Sequence, residues 1–213
     1  MSGSFPTFDH VVAPLLAQLQ PRRALDLGAG SGKYGRLLRD AAPDCERVAV
    51  EVDPHTVQQH DLAALYHQVH VADATAWCAQ QPACFDVVLL GDCLTQLPKS
   101  QGLDLLNALL YRSAWLVVLS AEFVVQPGAV GPQRSVWSER DLHWHDLYAW
   151  DNTRTTTLAL LRGYQPSPLT MDQVVRLTNE ARWPLLDFDG QTVVRPCRLR
   201  LVDQAREVAY RVR

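Results

Sequence analysis

The sequence predicts an α/β fold, a doubly wound parallel sheet with helices on both faces. Three observations carry this. Short β-branched or leucine-rich runs recur through the first 122 residues, each run ends in glycine or an acid, and the segments between them repeat apolar residues at spacings of three and four. Strands buried on both faces read as such continuous runs, and their alternation with helices implies parallel βαβ units.

The elements follow in order. "FDHVVAPLLAQLQ" (8–20) is expected to be a helix that packs on the sheet or lids it. "RALDLG" (23–28), "RVAVEVD" (47–53), "HQVHVAD" (67–73), "FDVVLLGD" (85–92) and "AWLVVLSAE" (114–122) read as strands. "GKYGRLLRDAAP", "PHTVQQHDLAALY", "ATAWCAQQPA" and "PKSQGLDLLNALLYR" read as the intervening helices, with Pro54 and Pro98 suited to a first turn. After residue 122 the alternation stops. "FVVQPGAVGPQRS" is a Gly/Pro loop and "VWSERDLHWHDLYAWDN" is polar and aromatic. "TRTTTLALLRGYQ" reads as one more strand, "LTMDQVVRLTNEARW" as a helix, and "QTVVRPCRLRLVDQAREVAYRVR" as a hairpin turning at "DQA" with one wet face.

Composition sets outer bounds. A chain of 213 residues, 47% hydrophobic and 20% charged, has the make-up of a globular domain with a sizeable core. The net charge of -3 gives no reason to expect a polyanionic partner. Five cysteines (45, 78, 84, 93 and 197) include no CxxC pair, so neither a zinc site nor a disulfide framework is indicated. Reduced thiols in a cytoplasmic protein are expected, with no membrane segment and no signal peptide.

The chemistry concentrates in "ALDLGAGSGKYG", residues 24–35. Two registers compete there. "GSGKYG" is a literal GxGxxG, with Glu51 about 20 residues on, as a dinucleotide fingerprint requires. However, the strand's last apolar residue is Leu27, so the turn begins at Gly28, and a dinucleotide register starting there meets Lys33 where it needs glycine. The other register is Asp26 followed by Gly28, Gly30 and Gly32. It places a carboxylate at a strand end where it would repel a pyrophosphate but suit an ammonium and a sulfonium, while bare backbone approaches a ribose.

In this register the sequence resembles the class I S-adenosylmethionine-dependent methyltransferases over roughly residues 20–165. "LDLGAGSG", "VAVEVDP", "VADA" and "FDVVLLGDCLTQLPKSQGLDLL" match that family's motifs in order. The resemblance implies a Rossmann-like, mostly parallel seven-stranded sheet with an antiparallel last strand, and S-adenosylmethionine as cofactor, converted to S-adenosylhomocysteine. It implies that Asp26, Gly28, Gly30 and Gly32 form the turn around the cofactor and that Glu51 takes both ribose hydroxyls. Asp73 would accept from the adenine amino group, the Ala74 amide would contact the ring, and Asp92 would stand beside the methionine moiety. Residues 1–165 would form the domain, with 123–152 as an active-site loop or lid. Residues 166–213, a helix plus hairpin, would be an extension packed on the same domain.

Each residue also has a plain structural reading. The glycines can serve tight turns alone, Asp53 and Asp73 suit helix N-caps, and Asp92 suits a turn. Many relatives with a "DCLTQL"-like segment carry a histidine where this chain has Gln96, so a base is sought in the later loop. His143 and His145 are the candidates there, alongside Asp92 at the cleft mouth. The two histidines would share one face of a strand but diverge by about 200° on a helix. A metal at this pair lacks a third ligand. Arg134, Trp137, Tyr148 and Trp150 are candidate acceptor contacts; the aromatics serve equally as core filling, and Arg134 as a solvated arginine. The tail arginines have only Tyr210 among them, too few aromatics for a nucleic-acid stacking platform.

The expected function is therefore methyl transfer to an oxygen or nitrogen of a small molecule, a specialised metabolite or sugar-like compound. No nucleic-acid or membrane partner is expected. Two alternatives stand beside it: a cyclase or lyase acting on the cofactor's own methionine chain, and an NAD-dependent oxidoreductase, for which the YxxxK pair is missing.

Overall fold

The computed structural model describes residues 6–121, 133–142, 147–152, 156–186, 192–196 and 198–203. Five parallel strands, β1 (Arg23–Leu27), β2 (Glu46–Glu51), β3 (Gln68–Val71), β4 (Phe85–Gly91) and β5 (Ser113–Ala121), alternate with helices. These helices are α1 (Asp9–Leu19), α2 (Lys33–Ala41), α3 (Pro54–Gln59), α4 (Ala74–Gln80) and α5 (Lys99–Arg112). A short α6 (Glu139–Leu142) leads to β6 (Leu147–Asn152) and β7 (Thr156–Arg162). Then come α7 (Met171–Glu180), β8 (Arg182–Leu186), β9 (Thr192–Pro196) and β10 (Arg200–Asp203).

The main sheet runs β10-β6-β7-β5-β4-β1-β2-β3. β7 is antiparallel to both β5 and β6, and β10 is antiparallel to β6. The order reverses between β1 and β4, because β1 lies beside β2 on one side and β4 on the other, with Leu25 between Val48 and Val88. That reversal opens a crevice at the carboxyl edge of the strands, the usual ligand position in such sheets.

Period-two alternation buries both faces. Val87 and Leu89 of β4 join Val11, Leu15, Leu38 and Val174 in one apolar cluster beneath α1, α2 and α7. Val88 and Leu90 join Leu25, Leu27, Leu106 and Leu110 in the other, beneath α4 and α5. Met171, Val174 and Val175 of α7 thus share a core with the first helix. Helix starts are fixed locally: Asp53 caps α3, Asp73 caps α4, and Thr170 with Gln173 forms a capping box on α7.

The sequence reading needs three corrections. Among the described residues the sheet has eight strands, not seven. β6 arises from the polar and aromatic segment, which has no clean alternation. The hairpin lies earlier than expected: β8 pairs with β9, and β8 begins at Arg182, inside the stretch read as helix. β10 pairs with β6 in the main sheet, while residues 204–213, where the expected turn at "DQA" falls, lie outside the described residues.

Among the described residues, no helix is long and apolar enough to cross a membrane. Cys45, Cys78, Cys84 and Cys93 are free thiols.

Candidate active site

Parallel strands deliver their carboxyl ends to one edge, so the turns after β1, β2, β3 and β4 converge there. The β1 turn comes first. Gly28, Gly30 and Gly32 all have positive φ, at 74°, 52° and 76°, a region that glycine enters without a Cβ penalty. Space also restricts Gly32, where a Cβ would stand 2.6 Å from Leu65 and 2.9 Å from Leu62. The turn is tied to β2: the Gly28 and Ala29 amides donate to the Val50 carbonyl at 2.8 and 3.2 Å.

Glu51, at the end of β2, is buried and grips the same turn. One carboxylate oxygen accepts from the Gly30 amide at 2.8 Å, the other from the Asp53 amide at 3.1 Å. Its charge and remaining lone pairs sit against the glycine turn, while Asp53 is used up capping α3. The Asp53 carboxyl is held below its ordinary range by the Thr56 hydroxyl and the His55 amide. Asp73 caps α4, accepting from the Ala76 amide at 2.9 Å and from the Thr75 hydroxyl. These bonds hold its carboxyl below the ordinary range. Ala74 begins that helix. Val52 and Val71, large apolar side chains beside these acids, are more than half exposed at the same edge.

Asp26 lies one residue before the end of β1 and is fully buried. Its Oδ2 accepts from the Tyr66 hydroxyl, whose oxygen in turn accepts from the Gly35 amide at 2.9 Å. Its Oδ1 is buried with no hydrogen-bond partner among the described residues. The carboxyl stands raised from 3.8 to about 7: burial, and to a lesser extent the Glu51 charge, push it up, against the Tyr66 hydrogen bond and the Lys33 charge, which lower it. Lys33 is paired with Asp9 of α1 at 2.9 Å, which draws the first helix over this end of the sheet.

On the far side of the crevice, Asp92 follows β4 with φ of 59°, a left-handed conformation that aspartate tolerates better than most residues. Its amide donates to Leu119 and its carbonyl accepts from the Thr95 hydroxyl. Cys93 abuts Gly28, where a Cβ would stand 3.3 Å from the Cys93 Cβ. Burial pushes the Cys93 thiol up to about 12, so it is no nucleophile near neutral pH. Tyr34 of α2 covers Gly91, where a Cβ would meet its ring at 2.3 Å. The fold thus brings Asp26, the glycines, Glu51, Asp73, Ala74 and Asp92 to one edge.

The candidates for contacting an acceptor divide. Residues 134–137 are stitched to the turn after β4: the Arg134 and Ser135 amides donate to the Thr95 carbonyl, and the Trp137 indole N–H donates to the Leu94 carbonyl at 3.1 Å. Arg134 is exposed. Trp137 is buried against Gly102 and Tyr148 donates to Glu139, so both lie in the core beneath α5. Trp150, half-buried, stacks under the Arg200 guanidinium at 3.8 Å. His143 and His145 lie outside the described residues. Among the described residues, no cluster of His, Cys, Asp or Glu could hold a metal.

The sequence reading missed Tyr66, Tyr34 and Val52. An apolar residue directly after the acid was a usable signal for Val52. For Tyr66, which lies 40 residues from Asp26 in the chain, no linear signal exists.

No family model matches the chain. Among solved structures, it resembles an O-methyltransferase family protein from Burkholderia thailandensis at a TM-score of 0.55 and 16% identity, covering 76% of this chain and 56% of that one. It also resembles the N-methyltransferase NodS from Bradyrhizobium japonicum WM9 in complex with S-adenosyl-L-homocysteine. There the TM-score is 0.56 at 16% identity, over 73% of this chain and 84% of that one. The fold is that of the class I methyltransferases. A third structure, the N-terminal domain of EvdMO1 with S-adenosylhomocysteine bound, matches at a TM-score of 0.53 and 16% identity, over 72% and 79% of the two chains. Among curated proteins, a tRNA U34 carboxymethyltransferase of Psychrobacter arcticus is 40% identical over 63 residues. That match takes in 30% of this chain and 17% of that protein, so the chain spans under a fifth of this relative.

Proposed function

We propose that this protein is an S-adenosylmethionine-dependent methyltransferase acting on an oxygen or nitrogen of a small molecule. The observation that carries the reading is the Asp26 carboxylate: buried at the crevice, next to the glycine turn, with one oxygen lacking any partner among the described residues. A lone buried anionic oxygen favours a cationic ligand group such as an ammonium and disfavours a diphosphate. The likeness to an O-methyltransferase family structure and to an N-methyltransferase with S-adenosylhomocysteine bound supports the same reading, as does the likeness to the EvdMO1 N-terminal domain, which also holds S-adenosylhomocysteine.

When bound, the cofactor supplies a methyl group already activated on a sulfonium. The chain's own residues then need to bind and align. Asp26 accepts from the ammonium, Glu51 from the ribose hydroxyls, and Asp73 with the Ala74 amide holds the adenine edge. Val52 and Val71 offer apolar surface to the ring. Asp92 stands by the methionine moiety and the entering acceptor. Holding the acceptor atom in line supplies on the order of 7–11 kcal/mol of the barrier. Where the acceptor keeps its proton, His145 or His143 takes it. Gln96 has no basic group, so it cannot.

Incubation with S-adenosylmethionine and a panel of hydroxyl- and amine-bearing small molecules tests this by mass spectrometry. Formation of S-adenosylhomocysteine with a methylated acceptor is expected. Methylthioadenosine in the absence of any acceptor would instead establish a cyclase or lyase. The 63-residue match to a tRNA-modifying enzyme favours a second reading, with an RNA acceptor. Methyl transfer to bulk tRNA, absent with small molecules, would establish it.

A further inference from the structure

Tyr66 has no role in the reading above. It sits after α3, is buried, and its hydroxyl bridges two parts of the site: it donates to Asp26 Oδ2 and accepts from the Gly35 amide at 2.9 Å. Its ring closes on Gly35 so tightly that a Cβ there would stand 2.5 Å from the ring, so α2 can carry only glycine at this contact. The bridge joins the end of β1 to the first turn of the helix that follows the glycine turn. It occupies one carboxylate oxygen of Asp26 and leaves the other, Oδ1, without a hydrogen-bond partner among the described residues.

We propose that Tyr66 is a positioning residue of the cofactor site: its hydroxyl clasps Asp26 Oδ2, orients Oδ1 toward the ammonium of the cofactor's amino-acid tail, and favours the ionised carboxylate that this contact requires. The inference rests on the proposed function, since it takes the ligand of Asp26 to be S-adenosylmethionine or its product. A phenol can donate to a carboxylate, and its donation stabilises the charged form. The other groups that act on Asp26 are Lys33 of α2, itself tied to Asp9 of α1, Glu51 of β2, and the Cys93 thiol after β4. Tyr66 supplies the one direct hydrogen bond to the Asp26 side chain among the described residues.

Two expectations follow for binding. Affinity for S-adenosylhomocysteine rises with pH as Asp26 ionises, giving an acid limb near neutrality. The alkaline limb belongs to the ligand's amino group and is common to all variants. Tyr66→Phe keeps the ring and removes the donor, so the acid limb moves to higher pH. Each pH unit of displacement costs about tenfold in affinity below the limb and nothing above it. Replacement of Tyr66 by 3-fluorotyrosine keeps shape and donor but makes the phenol more acidic, a stronger donor, and moves the limb to lower pH. A purely structural tyrosine predicts a loss of affinity equal at every pH.

The test is calorimetric titration of the full chain with S-adenosylhomocysteine from pH 5.5 to 8.5, for wild type, Tyr66→Phe and the 3-fluorotyrosine protein. Opposite displacements of the acid limb in the two variants support the clasp. Should Tyr66→Phe fail to fold, the fluorinated protein alone decides by the direction of its displacement. A wild type that binds, with an unmoved limb in the variants, overturns the clasp and leaves the proposed function standing. A wild type that binds no S-adenosylhomocysteine at any pH overturns both.

Discussion

Asp26→Asn separates the cost of the buried acid from its use. In the folded chain burial raises the Asp26 carboxyl from 3.8 to about 7. As pH rises, the unfolded chain loses this proton near pH 4 while the folded chain keeps it until about 7. Between those values the folded state binds more protons, so stability falls with rising pH and then levels off. At about 1.4 kcal/mol per pH unit, the destabilisation above pH 7 is roughly 4 kcal/mol, an upper bound because local relaxation reduces it. Asparagine has no proton to lose, and its amide oxygen can still accept from Tyr66. Urea unfolding followed from pH 4 to pH 8 should therefore show a falling stability for wild type that is absent in Asp26→Asn, the gap widening toward neutral pH. The same variant should lose most of its affinity for S-adenosylhomocysteine. Parallel stability curves with the same pH slope would refute the reasoning, because the carboxyl would then ionise alike in both states.

Other expectations follow from single contacts. Glu51→Ala removes a charged acceptor from the Gly30 and Asp53 amides and should weaken cofactor binding by about 10- to 100-fold, the worth of one charge-assisted hydrogen bond, as read by calorimetry. Trp137→Ala should cost about 3–5 kcal/mol in denaturant unfolding, since the indole fills the core under α5; a small cost with impaired acceptor binding would move it to the site instead. Gly35→Ala drives a methyl into the Tyr66 ring and should lower the unfolding free energy by about 1–3 kcal/mol. His145→Ala should slow turnover far more than it weakens cofactor binding in steady-state assays, and an unchanged rate would remove it from the mechanism.

The parts legible in the sequence are those with local physical causes. β1, β2, β4 and β5 are largely buried and therefore show as apolar runs, whereas β3 at the sheet edge is half-exposed and reads less cleanly. Asp53, Asp73 and Pro54 mark helix starts through backbone hydrogen bonding and fixed φ. The glycine turn was readable because positive φ values at three alternate positions, 28, 30 and 32, exclude most other residues. β6 and β10 were not readable: their pairing is decided by a partner strand about fifty residues away, and Trp150 against Arg200 is a contact that neither segment predicts alone. Tyr66 was hidden for the same reason, since a tyrosine between two helices and a strand carries no mark of the carboxylate it will meet.

The decisive measurement is calorimetric titration of the unmodified protein at pH 8 with S-adenosylhomocysteine and, separately, with NAD. Saturable binding of the first and none of the second is expected from a buried acid facing the glycine turn. Binding of NAD without any response to S-adenosylhomocysteine would contradict the account at its root.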